Sequence, residues 1–423
     1  MVHCLVTGGA GFIGSHLTDQ DKIEQLRAGD VRIFENGLPE LVRAGIDSGH
    51  LEFVVGTEAP VVYPGQVPDV VFVCVPTPMS ATGDADLTAL ETTVSAVGEV
   101  LAEGCVLVIK STVRVGTADK VRRMLGRADV AVVSNPEFLR EGSAVEDFLR
   151  PARVLIGSDD AEAAGTVAEL YARLAAPVMV TDTVSAEIAK YAANSFLAVK
   201  LSYVNSIAEV CEQVDADIDA VVESMGSDPR IGQAFLRTGP GWGGPCLPKD
   251  VHGFRRSAAD LGVELPLLDA ALAINTRQPP RVVDKLRRAV GGDLAGTRLG
   301  LLGLSFKSGT ADLRESPAVA VVSLLAAEGA ELTAFDPAVR DSRLPLPAAV
   351  SSEVTLVDDP YRMAKGATAL VLLTEWPEFG ELDWDRIADL LEGHVVVDTR
   401  NHLIPEVVRR AGIAYVGAGK NAG

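Results

Sequence analysis

Leu5-Val6-Thr7-Gly8-Gly9-Ala10-Gly11-Phe12-Ile13-Gly14 decides how the chain begins. An apolar run leads into glycines at 9, 11 and 14 and then into a helix start, the fingerprint of a dinucleotide-binding turn. Glycine lets the backbone approach a pyrophosphate, which rests on the N-terminus of the helix that follows. Gly9, Gly11 and Gly14 are therefore the first candidate cofactor residues, a tight structural turn being the alternative. The next expected part is missing. An acidic residue should close a second strand about 20 residues further on, but Asp19 and Asp21 follow Gly14 almost directly. A crossover needs about a dozen residues or more, so the first βαβ unit reads as shortened.

Outward from this turn, short apolar runs alternate with helical stretches. His3 to Thr7, Val70 to Val75, Cys105 to Ile109, Val130 to Val133 and Val154 to Gly157 read as buried parallel strands. Val184 to Val214 holds neither Pro nor Gly and reads as one long connecting or dimer-forming helix. More helix continues to about Arg277, broken by a Gly/Pro-rich segment at 239–248. Pro279-Pro280 suggests a boundary. Beyond it Arg298 to Leu304, Glu331 to Phe335, Ala369 to Leu373 and Val395 to Asp398 resume the strand pattern. The expected fold class is α/β: two Rossmann-like, doubly wound parallel-sheet domains, 1–182 and 279–423, joined by a helical middle domain, 183–278.

The chain has 423 residues, 48% of them hydrophobic, enough for several cores. No run is long enough to span a bilayer and nothing reads as a secretory leader, so a cytoplasmic protein without a membrane partner is expected. A formal charge of −20 argues against nucleic acid, while leaving room for a small anion on a few local cations. The five cysteines, at 4, 74, 105, 211 and 246, form no metal or disulfide spacing. No metal is expected.

Four further segments carry possible chemistry. Ser134-Asn-Pro-Glu137-Phe-Leu-Arg-Glu141-Gly142 follows a strand end, where α/β sheets place ligands; it also reads as a solvated loop. Lys190 and Asn194 are one helical turn apart, and could hold an oxyanion between a charge and a directed donor or merely decorate a surface. In Gly239-Pro-Gly-Trp242-Gly243-Gly-Pro-Cys246-Leu-Pro-Lys249-Asp250 a loop able to close around a ligand presents a single thiol, a nucleophile if cations favour the thiolate. The bland reading is a turn with a half-buried Cys. Lys307 and Arg314, in Ser305 to Pro317, and Arg230 would suit phosphate or carboxylate.

Taken in order, these segments, with Pro76-Thr77-Pro-Met, Lys110-Ser-Thr112-Val and Ala186-Glu-Ile-Ala-Lys190-Tyr-Ala-Ala-Asn194, resemble the UDP-glucose/GDP-mannose dehydrogenase family from about Asp21 onward. The resemblance implies an NAD-dependent 6-dehydrogenase of a nucleotide sugar, UDP-glucose first and GDP-mannose or dTDP-glucose as alternatives. It implies Cys246 as covalent nucleophile, Lys190 and Asn194 stabilising oxyanions, and Asp250 and Glu137 moving protons, with Thr112 placing the hydrolytic water. Thr77, Thr112, Glu141 and Arg314 would serve NAD. Phe138, Leu139, Lys190, Asn194, Arg230, Gly243 and Lys307 would hold the nucleotide sugar, Arg230 reaching in from a partner subunit. A homodimer or larger homo-oligomer is implied.

Four departures accompany the resemblance. The first eighteen residues look more like the start of short-chain sugar-nucleotide epimerases and dehydratases. Trp242 stands for a usual Phe or Tyr, Arg114 for a usual Pro and Ser206 for a usual Glu. An epimerase would need a Tyr-x-x-x-Lys pair in its first domain, whereas that spacing occurs only at Tyr361 to Lys365. A binding-only homologue with impaired NAD binding is the other alternative, set by the shortened start.

Overall fold

The computed structural model describes residues 4–7, 20–31, 33–54, 68–80, 83–339 and 346–420. Gly9, Gly11 and Gly14 lie outside them. The chain divides into two compact units, Met1–Ala193 with His252–Glu264, and Asn194–Val251 with Leu265–Gly423.

The first unit is built on a six-stranded sheet: β1 (Cys4–Thr7), β2 (Val70–Val73), β3 (Val106–Ile109), β4 (Ala131–Ser134), β5 (Val154–Gly157) and β6 (Val178–Thr181), side by side in that order. Alternation along the strands fills both faces. Val71, Val73, Leu107 and Ile109 pack with Leu90, Val94 and Val121 on one side. Val70, Val106, Val108, Val133 and Ile156 pack with Ala164 and Val167 on the other. Each such Val, Leu or Ile contributes about 1.5–3 kcal/mol through burial, which is why the strands read as unbroken apolar runs.

Two features differ from the expectation. β4 and β5 are antiparallel, so β5 and β6 run against the other four strands. The connection between them holds only the six-residue helix Ala144–Leu149, and an antiparallel return needs no full crossover. β1 is an edge strand among the described residues, with Cys4 exposed and Val6 51% exposed. No strand is described between Thr7 and Val70.

In the second unit the sheet runs β12 (Ala414–Gly417), β11 (Val395–Asp398), β10 (Ala369–Leu372), β7 (Arg298–Leu302), β8 (Glu331–Phe335) and β9 (Val354–Leu356), parallel throughout. The chain thus starts in the middle, works out to one edge and returns to the other side. That is the Rossmann strand order, with its topological switch point between β7 and β10.

The helix Thr183–Val214 is as long as its Pro- and Gly-free sequence predicts. Pro279-Pro280 does not break the chain: both lie inside the helix Pro266–Val290. Proline there leaves the Asn275 and Thr276 carbonyls without their usual helical donors, and the packed apolar face of Leu268, Ala271, Val282, Val283 and Leu286 carries the helix through.

Candidate functional site

The candidate residues fall into two groups, one in each unit. In the first unit they gather where β2, β3 and β4 end. Ser111 Oγ donates to the Val75 carbonyl (2.5 Å) and Thr77 Oγ1 to the Thr112 carbonyl (2.7 Å), so the segments leaving β2 and β3 are cross-linked. Arg114 adds a third tie: its guanidinium grips the Asp84 carboxylate through two nitrogens, Nε at 2.8 Å from Oδ1. This gives the departure at Arg114 a structural role, joining the same two segments.

After β4 the Asn135 side chain makes three hydrogen bonds. Its Nδ2 donates to the Leu155 carbonyl (2.7 Å), and its Oδ1 accepts from Lys110 Nζ (3.0 Å) and Tyr171 Oη (2.6 Å). Two residues on, Glu137 Oε2 accepts the Leu139 N–H (2.5 Å) and Oε1 lies 3.2 Å from Lys190 Nζ. The Phe138 ring has the Arg153 guanidinium 3.7 Å from its centroid and Lys190 Nζ at 5.2 Å. Burial lowers the Lys110 ammonium to about 8, with Cys74 and Glu137 opposing the shift and Lys190 adding to it. Burial also pushes the Cys74 thiol up to about 11.

Thr77, Thr112 and Glu141 lie in segments that follow strand ends, and Gly142 donates its N–H to the buried Glu35 (2.8 Å), which holds the Glu141 segment in place. The carboxyl ends of parallel strands are where an open α/β sheet takes a dinucleotide. The place of these residues there is compatible with NAD.

In the second unit Cys246 directly precedes the helix Leu247–Asp260, and its carbonyl accepts the Asp250 N–H (2.9 Å). The half-buried thiol therefore sits at a helix N-terminus, where the backbone dipole favours negative charge on sulfur. Asp250, one turn on, is buried. Its Oδ2 accepts from Asn194 Nδ2 (2.5 Å) and its Oδ1 from Lys249 Nζ (2.6 Å).

The glycines before Cys246 are required by close approach. A Cβ on Gly243 would lie 1.8 Å from the Glu315 carbonyl oxygen, and one on Gly244 (φ +82°) would strike the Phe306 ring at 2.6 Å. The 239–246 loop is thereby pressed onto the 305–317 segment. Trp242 is buried, its indole N–H donating to Ser202 Oγ (2.9 Å) and its backbone bonded twice to the Asn275 side chain.

Of the other residues singled out, Lys307 stands over the Phe306 ring (5.8 Å) and the Arg314 guanidinium binds the buried Asp312 carboxylate. Arg230 binds the neighbouring Asp228, and its side chain is 87% exposed. Sequence reasoning did not single out Lys110, Asn135, Tyr171 or Asn275. Lys110 and Asn135 both stand in quoted motifs at strand ends, which is the available signal; Tyr171 and Asn275 are linked to the site by contacts 36 and 33 positions apart. Among the described residues no group of His, Cys, Asp and Glu could hold a metal ion, and no helix is long and apolar enough to cross a membrane.

Two largely parallel-sheet α/β units and a cysteine at a helix N-terminus are compatible with a dehydrogenase, and comparison with known proteins gives the class. The chain belongs to the UDP-glucose/GDP-mannose dehydrogenase family, whose NAD binding domain matches residues 12–175, its central domain 184–277 and its UDP binding domain 300–405. The UDP-glucose 6-dehydrogenase of Rhizobium meliloti (strain 1021) is 39% identical over 412 residues, covering 95% of this chain and 92% of that one. UDP-glucose 6-dehydrogenase TuaD of Bacillus subtilis (strain 168) is 38% identical over 410 residues, 96% of this chain and 87% of that one. A UDP-glucose dehydrogenase structure from Pyrobaculum islandicum superposes with a TM-score of 0.88 at 34% identity, covering 100% of this chain and 98% of the other. The chain is an NAD-dependent oxidoreductase, a nucleotide-sugar 6-dehydrogenase.

Proposed function

We propose that the chain oxidises UDP-glucose at C6 to UDP-glucuronate. The nucleotide sugar is chosen because the relatives above, at 34–39% identity, are named for UDP-glucose. NAD, when bound, accepts a hydride in each of two oxidations. Asp250 or Glu137 takes the hydroxyl proton in the first, giving the aldehyde. The Cys246 thiolate adds to the aldehyde carbon, and Lys190 and Asn194 stabilise the oxyanion that forms. The tetrahedral thiohemiacetal can release a hydride where a free aldehyde cannot, which leaves a thioester. Water placed by Thr112 and deprotonated by a carboxylate hydrolyses it, returning the thiol and freeing the carboxylate.

The observation that carries this reading is Cys246 at a helix N-terminus with the buried Asp250 one turn on and Asn194 bonded to it. We assign binding of the sugar nucleotide to Phe138, Leu139, Gly243 and Lys307, with Arg230 from a partner subunit. Glu141 and Arg314 serve the cofactor side. We assign the working form to a homodimer, or a larger assembly built from it, formed on the long helix. Phe196, Tyr203 and Val210, seven residues apart, are 62%, 52% and 59% exposed on it. A cytoplasmic location goes with this reading. The test is NADH formation over a panel of UDP-, GDP- and dTDP-sugars, with UDP-glucose giving the highest kcat/KM. A clear preference for GDP-mannose would reassign the substrate.

A further inference from the structure

Glu187 lies on the helix Thr183–Val214, three residues before Lys190, and is buried. The chemistry above gives it no part. Both its carboxylate oxygens are committed to backbone: Oε2 accepts the Gly116 N–H (2.6 Å) and Oε1 the Ala118 N–H (2.8 Å). These donors open the helix Thr117–Leu125, where the first N–H groups have no intrahelical partner. Gly116 holds φ +86°, and a Cβ there would meet nothing within 4 Å, so glycine serves the backbone conformation that aims its N–H rather than a lack of space. The same segment, four residues earlier, carries Thr112, whose carbonyl is tied to Thr77.

We propose that Glu187 is a positioning residue, fixing the Thr112 segment of the cofactor edge to the helical turn that presents Lys190. The inference rests on the roles given to Thr112 and Lys190 above. A carboxylate is the side chain that can accept both N–H groups at full strength; protonated, it gives up part of that capacity. Burial pushes the Glu187 carboxyl up to about 7. The Ala118 and Gly116 N–H groups oppose this, Asp119 of the facing helix adds to it and Arg122 of that helix opposes it. Lys190 is the neighbouring charge on its own helix.

The test is Glu187→Gln, which keeps the shape and sets an amide NH2 against one of the two backbone donors. The expected result is a loss of about 10- to 100-fold in kcat/KM for NAD at pH 8, the scale of a modest misplacement of reacting groups. Activity of the unsubstituted enzyme should fall as pH drops through about 7, and E187Q should lack that limb. Should E187Q fail to fold, Glu187→Asp, one methylene too short to reach both donors, carries the same expected loss. E187Q or E187D matching the unsubstituted enzyme in kcat/KM at every pH would overturn the proposal. An unsubstituted enzyme forming no NADH with any nucleotide sugar would instead overturn the functional reading beneath it. In that case the contact is still tested by unfolding: the Glu187 contribution to stability should decline as pH rises from the ordinary carboxyl range to about 7, because the folded state holds the proton longer, and should be absent in E187Q.

Discussion

Lys190 Nζ lies 3.2 Å from Glu137 Oε1, and the two side chains are only 4% and 5% exposed. A buried pair of this kind adds little net stability, yet breaking it from one side is costly because the remaining charge has no water. Lys190→Met should therefore destabilise the protein by about 3–5 kcal/mol. Lys190→Met with Glu137→Gln should recover most of that loss. Urea denaturation of the single and double variants checks this. Equal destabilisation in both would show that the charges are not coupled.

Asp250 is held by Asn194 and Lys249 and follows Cys246 by one helical turn. Asp250→Asn keeps the volume, removes the carboxylate charge and sets amide against amide. The expected result is a fall in kcat of about 10²- to 10⁴-fold, the range for loss of a general acid–base group. KM for the nucleotide sugar should change little. Steady-state kinetics at saturating NAD provides the measurement.

Lys110 supplies a pH prediction whose sign follows from its low-lying ammonium. Folding lowers it from 10.5 to about 8, so between those values the unfolded chain holds a proton that the folded chain has released. Stability from this group therefore rises with pH across that interval, and its cost is fully present below about 8. Lys110→Met should remove that rise. The check is the difference between the two melting curves from pH 7 to 10.5. A constant difference across the interval would contradict the assignment.

Phe196, Tyr203 and Val210 offer a stripe that a second copy would cover. Tyr203→Glu should shift the protein toward monomer in sedimentation at micromolar concentration, because a buried unpaired carboxylate is costly in an interface. An unchanged sedimentation profile would move the contact elsewhere.

What could be read from the residues alone follows a physical division. β2 to β5 and β7, β8, β10 and β11 announced themselves as apolar runs because both sheet faces are covered. β6 is not among them although Val178, Met179 and Val180 form a short apolar run; they sit exposed on an edge strand. Pro279-Pro280 does not interrupt the Pro266–Val290 helix, because packing along it outweighs two missing hydrogen bonds. Motif and spacing single out Cys246, Asp250 and Asn194, and Asn194 is hydrogen-bonded to Asp250 one turn after Cys246. They do not single out the Lys110–Asn135–Tyr171 network, because it depends on which strand ends become neighbours. Arg114, a bare departure in the sequence, acquired a meaning only through Asp84.

A double oxidation through a covalent cysteine fixes the stoichiometry of NADH, and that stoichiometry is the decisive measurement. With UDP-glucose limiting and NAD in excess, the account predicts two NADH formed for each sugar converted to the carboxylate, and no carboxylate from the Cys246→Ser variant. One NADH per sugar with release of the free aldehyde, or undiminished carboxylate from Cys246→Ser, would contradict it.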